Sequence, residues 1–231
     1  MDRCDAYTKM WLLRLLLVDP NGVIRESKGE SLPSPKYDAL DRIVGKTVAD
    51  GCKVVVFTSI KRGVTRELVM RYARFGVCLI DGDVDAFPRK KKESQRETIR
   101  REFQFGDTGV LIATLGTMSE GVDLSAASTV VFLDKPFTST ARDQAIKRVH
   151  RLGQTKPVEV ISIVARDPAI DAVIRDKDTG EHETIDEAIE RLIDKKELLI
   201  QHVVDGARLS PEERRLLEER ENLGRVISSL A

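Results

Sequence analysis

The sequence predicts an α/β fold: a doubly wound, mainly parallel sheet flanked by helices, with helical appendages at both ends. Three observations carry this. Short, continuously apolar runs recur from Lys53 onward, amphipathic segments separate them, and glycine, aspartate or proline bounds each run. A strand covered by helices on both faces buries both sets of alternating side chains, so it reads as an unbroken apolar run.

The strands are expected at Val54 to Thr58, Val77 to Asp81, Val110 to Thr114, Thr129 to Leu133 and Val158 to Val164. Helices are expected near Gly63 to Phe75, Pro88 to Phe105 and Thr140 to Leu152. Parallel neighbours joined through helices require right-handed crossovers, and ligands on such sheets collect beyond the carboxyl ends of the strands. The apolar run Trp11 to Val18 is interrupted by Arg14 and is far short of the ~20 residues that span a bilayer, so it reads as a helix packed on protein. Asn21 to Lys36, with Gly22, Gly29, Pro33 and Pro35, reads as a loop. Thr184 with Glu187 forms a capping box ahead of an apolar stripe of Ile185, Ala188, Ile189, Leu192 and Ile193. Ser210-Pro211-Glu212-Glu213 opens a final charged helix.

Composition limits the function classes. Thirty-eight basic residues balance 38 acidic ones in 231, so any nucleic-acid contact must come from a local patch. Aromatic residues make up 5%, which disfavours a surface built on base stacking. Cys4, Cys52 and Cys78 lack metal-ligand spacing, so no metal site and no disulfide framework is expected, and the setting is expected to be reducing and intracellular. The basic run Arg89-Lys90-Lys91-Lys92 is read first as a solvated face and second as a phosphate track.

The chemistry concentrates in Asp143 to Gln154, DQAIKRVHRLGQ. On a continuous helix Gln144, Arg148 and Arg151 share one face at i, i+4 and i+7. Two guanidinium forks converging there suit phosphate oxygens, and an arginine aimed at a transferring phosphoryl group stabilises charge that develops in the transition state. On charge alone the same residues read as an ordinary solvated face. Upstream, Thr114 ends a strand, and Gly121 and Asp123 follow on a turn. A strand-end hydroxyl can hold a nucleic-acid phosphate and an aspartate can accept a ribose hydroxyl, while threonine also ends many strands for structural reasons. Ser59, closing the first strand, could meet a phosphate or cap the next helix.

The spacing Q-x-x-x-R-x-H-R-x-G-Q resembles the last motif of the Swi/Snf-type ATPases of helicase superfamily two, and the preceding order LGTMSEGVDL then STVVFLDKPF resembles the motifs before it. KVVVFTS, LIDGD, Arg96 with Ile99 and Phe103, SPKYDAL and the stretch Thr184 to Gly206 are similar to further parts of the second lobe, so the likeness covers roughly 11–206. The resemblance implies a RecA-like carboxyl-terminal lobe at 37–206 with its bracing helix, an inter-lobe segment at 1–36 and an extension at 207–231. It implies that Arg148 and Arg151 are arginine fingers, that Gly121, Asp123 and Gln144 join them around ATP, and that Ser59 and Thr114 face nucleic acid, DNA with RNA an open alternative. Departures are visible: Glu120 would repel a phosphate, Asp123 replaces a common asparagine, and Lys135-Pro136-Phe137 replaces a tryptophan segment.

Gly45-Lys46-Thr47 imitates the end of a Walker A loop, but Leu40 stands where its first glycine is required, and no acidic box for Mg2+ follows. The chain is therefore expected to be an ATP-dependent helicase or translocase only together with an amino-terminal lobe that holds the Walker A loop, ATP and Mg2+. No membrane role is expected, and the location is cytoplasmic for a bacterial or viral source, nuclear for a eukaryotic one. The alternatives are a stand-alone module that binds nucleic acid or protein without catalysis and, last, a nucleotide-metabolising enzyme on the same scaffold.

Overall fold

The computed structural model describes residues 3–23, 32–61, 63–84, 93–117, 122–136, 138–151, 154, 156–165, 174–175, 182–184, 186–187 and 189–191. Contacts divide the chain into two units, 18–163 and the combination of 1–17 with 164–231. The segment after Val18 is tied into the larger unit, because the Ser34 hydroxyl donates to the Val18 carbonyl at 2.7 Å while capping the next helix through Tyr37 N.

In the larger unit, α2 (Pro20–Val23) and α3 (Pro35–Ala49) precede β1 (Lys53–Thr58). α4 (Val64–Tyr72) and a short 3-10 turn lead to β2 (Val77–Ile80), then α5 (Gln95–Phe105), β3 (Val110–Thr114), β4 (Ala127–Phe132), α6 (Ser139–Val149) and β5 (Glu159–Ser162). The expected loop at 21–36 thus contains one helical turn and the start of α3, where proline at the first position is favoured because its missing N–H has no partner there anyway. Gly45-Lys46-Thr47 lies inside α3, with Leu40 fully buried, so the Walker A likeness is a helical coincidence.

All five strands pair in parallel, in the order β2-β3-β1-β4-β5. Both faces of the central strands are covered, as their unbroken apolar sequences predict: Val54 to Phe57 and Val110 to Ala113 are 0% exposed. One core layer gathers Phe57, Phe103, Leu111, Leu124, Phe132, Ala145 and Val149, with the Phe57 and Phe132 rings stacked at 5.5 Å. Gly76 enters β2 at φ 67°, and a Cβ there would meet the Thr108 backbone at 3.2 Å, so both the conformation and the space call for glycine. α5 is closed at both ends: the Ser94 hydroxyl accepts from Glu97 N, and Lys53 Nζ donates to the carbonyls of Phe103 and Gly106 at 2.7 and 2.6 Å.

The smaller unit contains most of α1 (Arg3–Val18), as expected for the Trp11 helix, and a two-stranded antiparallel ribbon of β6 (Ile174–Arg175) with β7 (His182–Glu183) that the sequence pattern did not reveal. The Thr184–Glu187 capping box is formed reciprocally, at 2.9 Å to Thr184 N and 3.3 Å to Glu187 N. Helix follows at 186–187 and 189–191, with Ile189 buried; Ile185, Ala188, Leu192, Ile193, the remainder to Gly206 and the Ser210 cap lie outside the described residues. Among the described residues no helix is long and apolar enough to cross a membrane, and no cluster of His, Cys, Asp or Glu could hold a metal ion.

Candidate functional site

The candidate residues form two groups, and the sheet separates them. Ser59 and Thr114 belong to the carboxyl ends of adjacent strands: Thr58 of β1 stands beside Thr114 of β3 in the parallel register, and Ser59 follows Thr58. Ser59 is half-buried, and its amide donates to Asp134 Oδ1 at 2.8 Å. It does not cap the next helix, since the N-cap of α4 is Gly63, without a side-chain bond. Thr114 is buried, with its hydroxyl 3.3 Å from that of Thr117. The Thr117 hydroxyl donates to the Thr114 carbonyl at 2.7 Å, with the Ile80 carbonyl 3.4 Å away, which joins the ends of β2 and β3. Thr114 therefore shapes this end of the sheet more than it presents a hydroxyl.

Charge at the same end is paired. Lys61 reaches Asp83 at 2.5 Å and Asp81 at 3.5 Å, and the Asp83 hydrogen bond, followed by the Asp81 charge, holds its ammonium above the usual lysine range. Asp81 itself is buried and accepts from Asp83 N. LIDGD was legible as a strand and its turn, but the partner 20 residues upstream was not.

The second group lies at the opposite end. α6 runs back along the sheet after β4, and near its end the Arg148 carbonyl accepts from Leu124 N at 2.9 Å. That bond brings the Asp123 turn, four residues ahead of β4, beside the arginine segment. Asp123 Oδ1 accepts from Ser125 N at 3.1 Å, which makes it a turn former as well as a candidate acceptor. Asp123, Arg148 and Arg151 thus gather toward the amino end of β4, away from Ser59 and Thr114 at the carboxyl ends of their strands.

The shared helical face is corrected too. α6 ends at Val149, and its C-cap His150 has φ −87° and ψ 88°, so Arg151 stands beyond the helix. Two tertiary bonds explain the break. Gln154 Nε2 donates to the carbonyls of Ser125 and Ala127 at 2.7 and 2.9 Å, drawing the chain onto the entrance of β4 instead of along the helix axis. Gln154 is the residue that sequence reasoning left without a role, although it closes the motif. Arg148 and Arg151 are both half-buried, whereas Gln144, Lys147 and His150 are exposed. Gly121, Glu120, Phe137, Leu152, Gly153 and the Arg89 to Lys92 run lie outside the described residues. Lys135 and Pro136 are buried, which gives the segment after β4 a structural part.

Two clefts elsewhere, of about 510 Å³ beside Ile43, Ser128 and Glu159 and about 420 Å³ between Asp19, Tyr37 and Arg71, contain none of the candidate residues. The candidate groups instead occupy the two ends of one sheet, joined by β4 and α6.

Comparison with known proteins shows what the chain is similar to. The model of the helicase conserved C-terminal domain family covers 35–153, just over half of the chain. The chromatin-remodeling ATPase INO80 of Emericella nidulans is 31% identical over 134 residues, covering 58% of this chain and 8% of that protein. Its counterpart in Gibberella zeae is 29% identical over 169 residues, 68% of this chain and again 8% of the relative. The chain thus spans less than a tenth of these relatives. Among solved structures, the C-terminal part of the Fun30 ATPase domain superposes with a TM-score of 0.56 at 21% identity, covering 81% of this chain and 54% of that one. The Sulfolobus solfataricus SWI2/SNF2 ATPase core in complex with dsDNA gives 0.59 at 19%, covering 96% of this chain and 44% of that one. The sequence match across α3 to the end of the arginine motif means that this chain belongs to the helicase conserved C-terminal domain family, and both solved structures share its fold.

Proposed function

We propose that the chain forms one half of a nucleic-acid-dependent ATPase motor and presents Arg148 and Arg151 to ATP held by an amino-terminal lobe. The observation that supports this is the bond from Leu124 N to the Arg148 carbonyl, which joins the turn that carries Asp123 to the segment that carries the two half-buried arginines. The donor set fits a nucleotide in part: guanidinium forks suit phosphate oxygens and Asp123 suits a ribose hydroxyl. Gly121 and Gln144 complete the proposed group. Gly45-Lys46-Thr47 lies within α3 and forms no phosphate loop, so we assign the triphosphate cradle and Mg2+ to the other lobe.

Hydrolysis of the bound nucleotide supplies the energy, and this chain contributes charge stabilisation and a moving surface. Arginines that strengthen their contacts in the transition state raise turnover more than affinity. Ser59, with Thr114 shaping the strand end, would face the backbone of DNA, consistent with a fold relative solved on dsDNA. Backbone contact carries no sequence reading, so tracking without base specificity is the expected mode. A nuclear setting fits relatives named for chromatin remodeling in two fungi. We assign 1–36, 37–206 and 207–231 to the inter-lobe segment, the motor lobe with its brace and an extension.

The test measures ATP turnover with and without duplex DNA, for the chain alone and joined to its amino-terminal lobe. The chain alone should be weakly active or inactive. In the joined protein, Arg148→Ala and Arg151→Ala should each lower kcat by ~10³-fold with KM changed far less. Robust turnover by the chain alone, or equal losses in kcat and affinity, would overturn the assignment in favour of a non-catalytic module or a different nucleotide enzyme.

A further inference from the structure

The two candidate groups are separated by the length of β4, five residue steps or ~17 Å at about 3.3 Å per step, and a buried carboxylate stands at the junction. Asp134 is 1% exposed and lies in the connection from β4 to α6. Its Oδ1 accepts from the Thr58 hydroxyl at 2.6 Å and from Ser59 N at 2.8 Å. The Thr58 hydroxyl in turn accepts from Ile60 N at 3.0 Å, so one carboxylate oxygen orders the last residue of β1 and the two that follow it.

Strand pairing does not need this. β1 and β4 are already joined by their ladder and by Leu133 N donating to the Phe57 carbonyl at 2.9 Å. A carboxylate removed from water carries a large desolvation cost, which its hydrogen bonds to Thr58 and Ser59 help to offset. What Asp134 adds is direction. With the Ser59 amide engaged, the group that Ser59 can offer outward is its hydroxyl.

We propose that Asp134 is a positioning residue: it holds the Ser59 turn in the orientation that meets a DNA backbone phosphate, and it anchors that turn to the strand and helix that lead to Arg148. This rests on the reading of Ser59 as a DNA-facing residue. Asp134 touches no substrate; it acts through Thr58 and Ser59.

The test uses the full 231-residue chain and a fluorescein-labelled 20-base-pair duplex, with anisotropy at low salt and amide exchange read at Ser59. Asp134→Ala should weaken binding about tenfold and expose the Ser59 amide to exchange. Asp134→Asn keeps an acceptor oxygen and should stay within about threefold of wild type. Thr58→Val removes the hydroxyl relay without shortening the side chain and should reproduce part of the loss even where the alanine variant folds poorly. In a double-mutant cycle, Ser59→Ala added to Asp134→Ala should cost no further affinity, because both act through one contact. Wild-type binding with unchanged affinity in Asp134→Ala and Thr58→Val, or fully additive losses with Ser59→Ala, would overturn the positioning role. A wild-type chain that binds no duplex would overturn the DNA reading itself, and the positioning role with it.

Discussion

At the residue scale, Asp41 shows how one side chain can unite two helices and leave a pH signature. The Arg71 fork meets it with Nε and Nη2 at 2.7 Å each, and the Tyr72 hydroxyl donates to it at 2.9 Å. Burial pushes the Asp41 carboxyl up, but the Arg71 and Tyr72 hydrogen bonds and the charges of Arg71 and Arg74 outweigh it and hold the group below its ordinary range. A carboxyl whose folded pKa is depressed stabilises the protein above its unfolded value, and that stability is lost as pH falls through the folded value. Asp41→Asn should therefore lower stability by ~1 kcal/mol at neutral pH, a modest figure because both side chains are partly exposed, at 38% and 29%. The gap from wild type should close below about pH 4. Urea melts of both proteins across the acid range check this, and a gap that persists at the lowest pH would show that the pair acts by packing and not by charge.

At the element scale, the segment after α6 owes its path to Gln154. Three bonds converge on that side chain: two donated to Ser125 and Ala127, and one accepted from Lys156 N at 3.1 Å. Together they carry the chain from the end of α6 toward β5 while holding Arg151 near the entrance of β4. Gln154→Ala leaves two buried-side carbonyls without this donor and should cost ~1–3 kcal/mol. In the joined two-lobe protein it should also lower ATP turnover with little change in DNA affinity, since the Ser59 end of the sheet is untouched. A thermal melt and a turnover assay on the same preparation check both parts; loss of DNA binding without loss of turnover would contradict the separation of the two groups.

At the scale of the whole molecule, balanced charge sets the kind of DNA binding to expect. The formal net charge is zero, so no global field gathers nucleic acid, and the candidate contacts at the carboxyl strand ends are hydroxyls. Hydroxyl contacts release no counterions. The affinity of the chain for duplex DNA should then fall with log salt at a slope no steeper than about −3, as one to three cationic contacts would give. Titrations between about 50 and 200 mM salt measure it. A steeper slope would assign the Arg89 to Lys92 run to the phosphate backbone.

Much of this protein is written in local pattern. Buried parallel strands are unbroken apolar runs because both faces are covered, so β1 to β5 are legible within a few residues, and β3 to the residue. The Thr184–Glu187 cap is legible because a capping box is a three-residue interaction, and the arginine motif because its spacing is specific. What the tertiary structure decided is where those pieces meet. Helical periodicity placed Arg151 on the face of Gln144 and Arg148, but the carbonyls that capture Gln154 lie 27 and 29 residues away and end the helix first. Nor does any local pattern reveal that Asp134 meets Thr58 across 76 residues, or that the arginines and Ser59 occupy opposite ends of β4. Sequence periodicity records which side of an element is buried; only strand order and long-range hydrogen bonds determine which residues become neighbours.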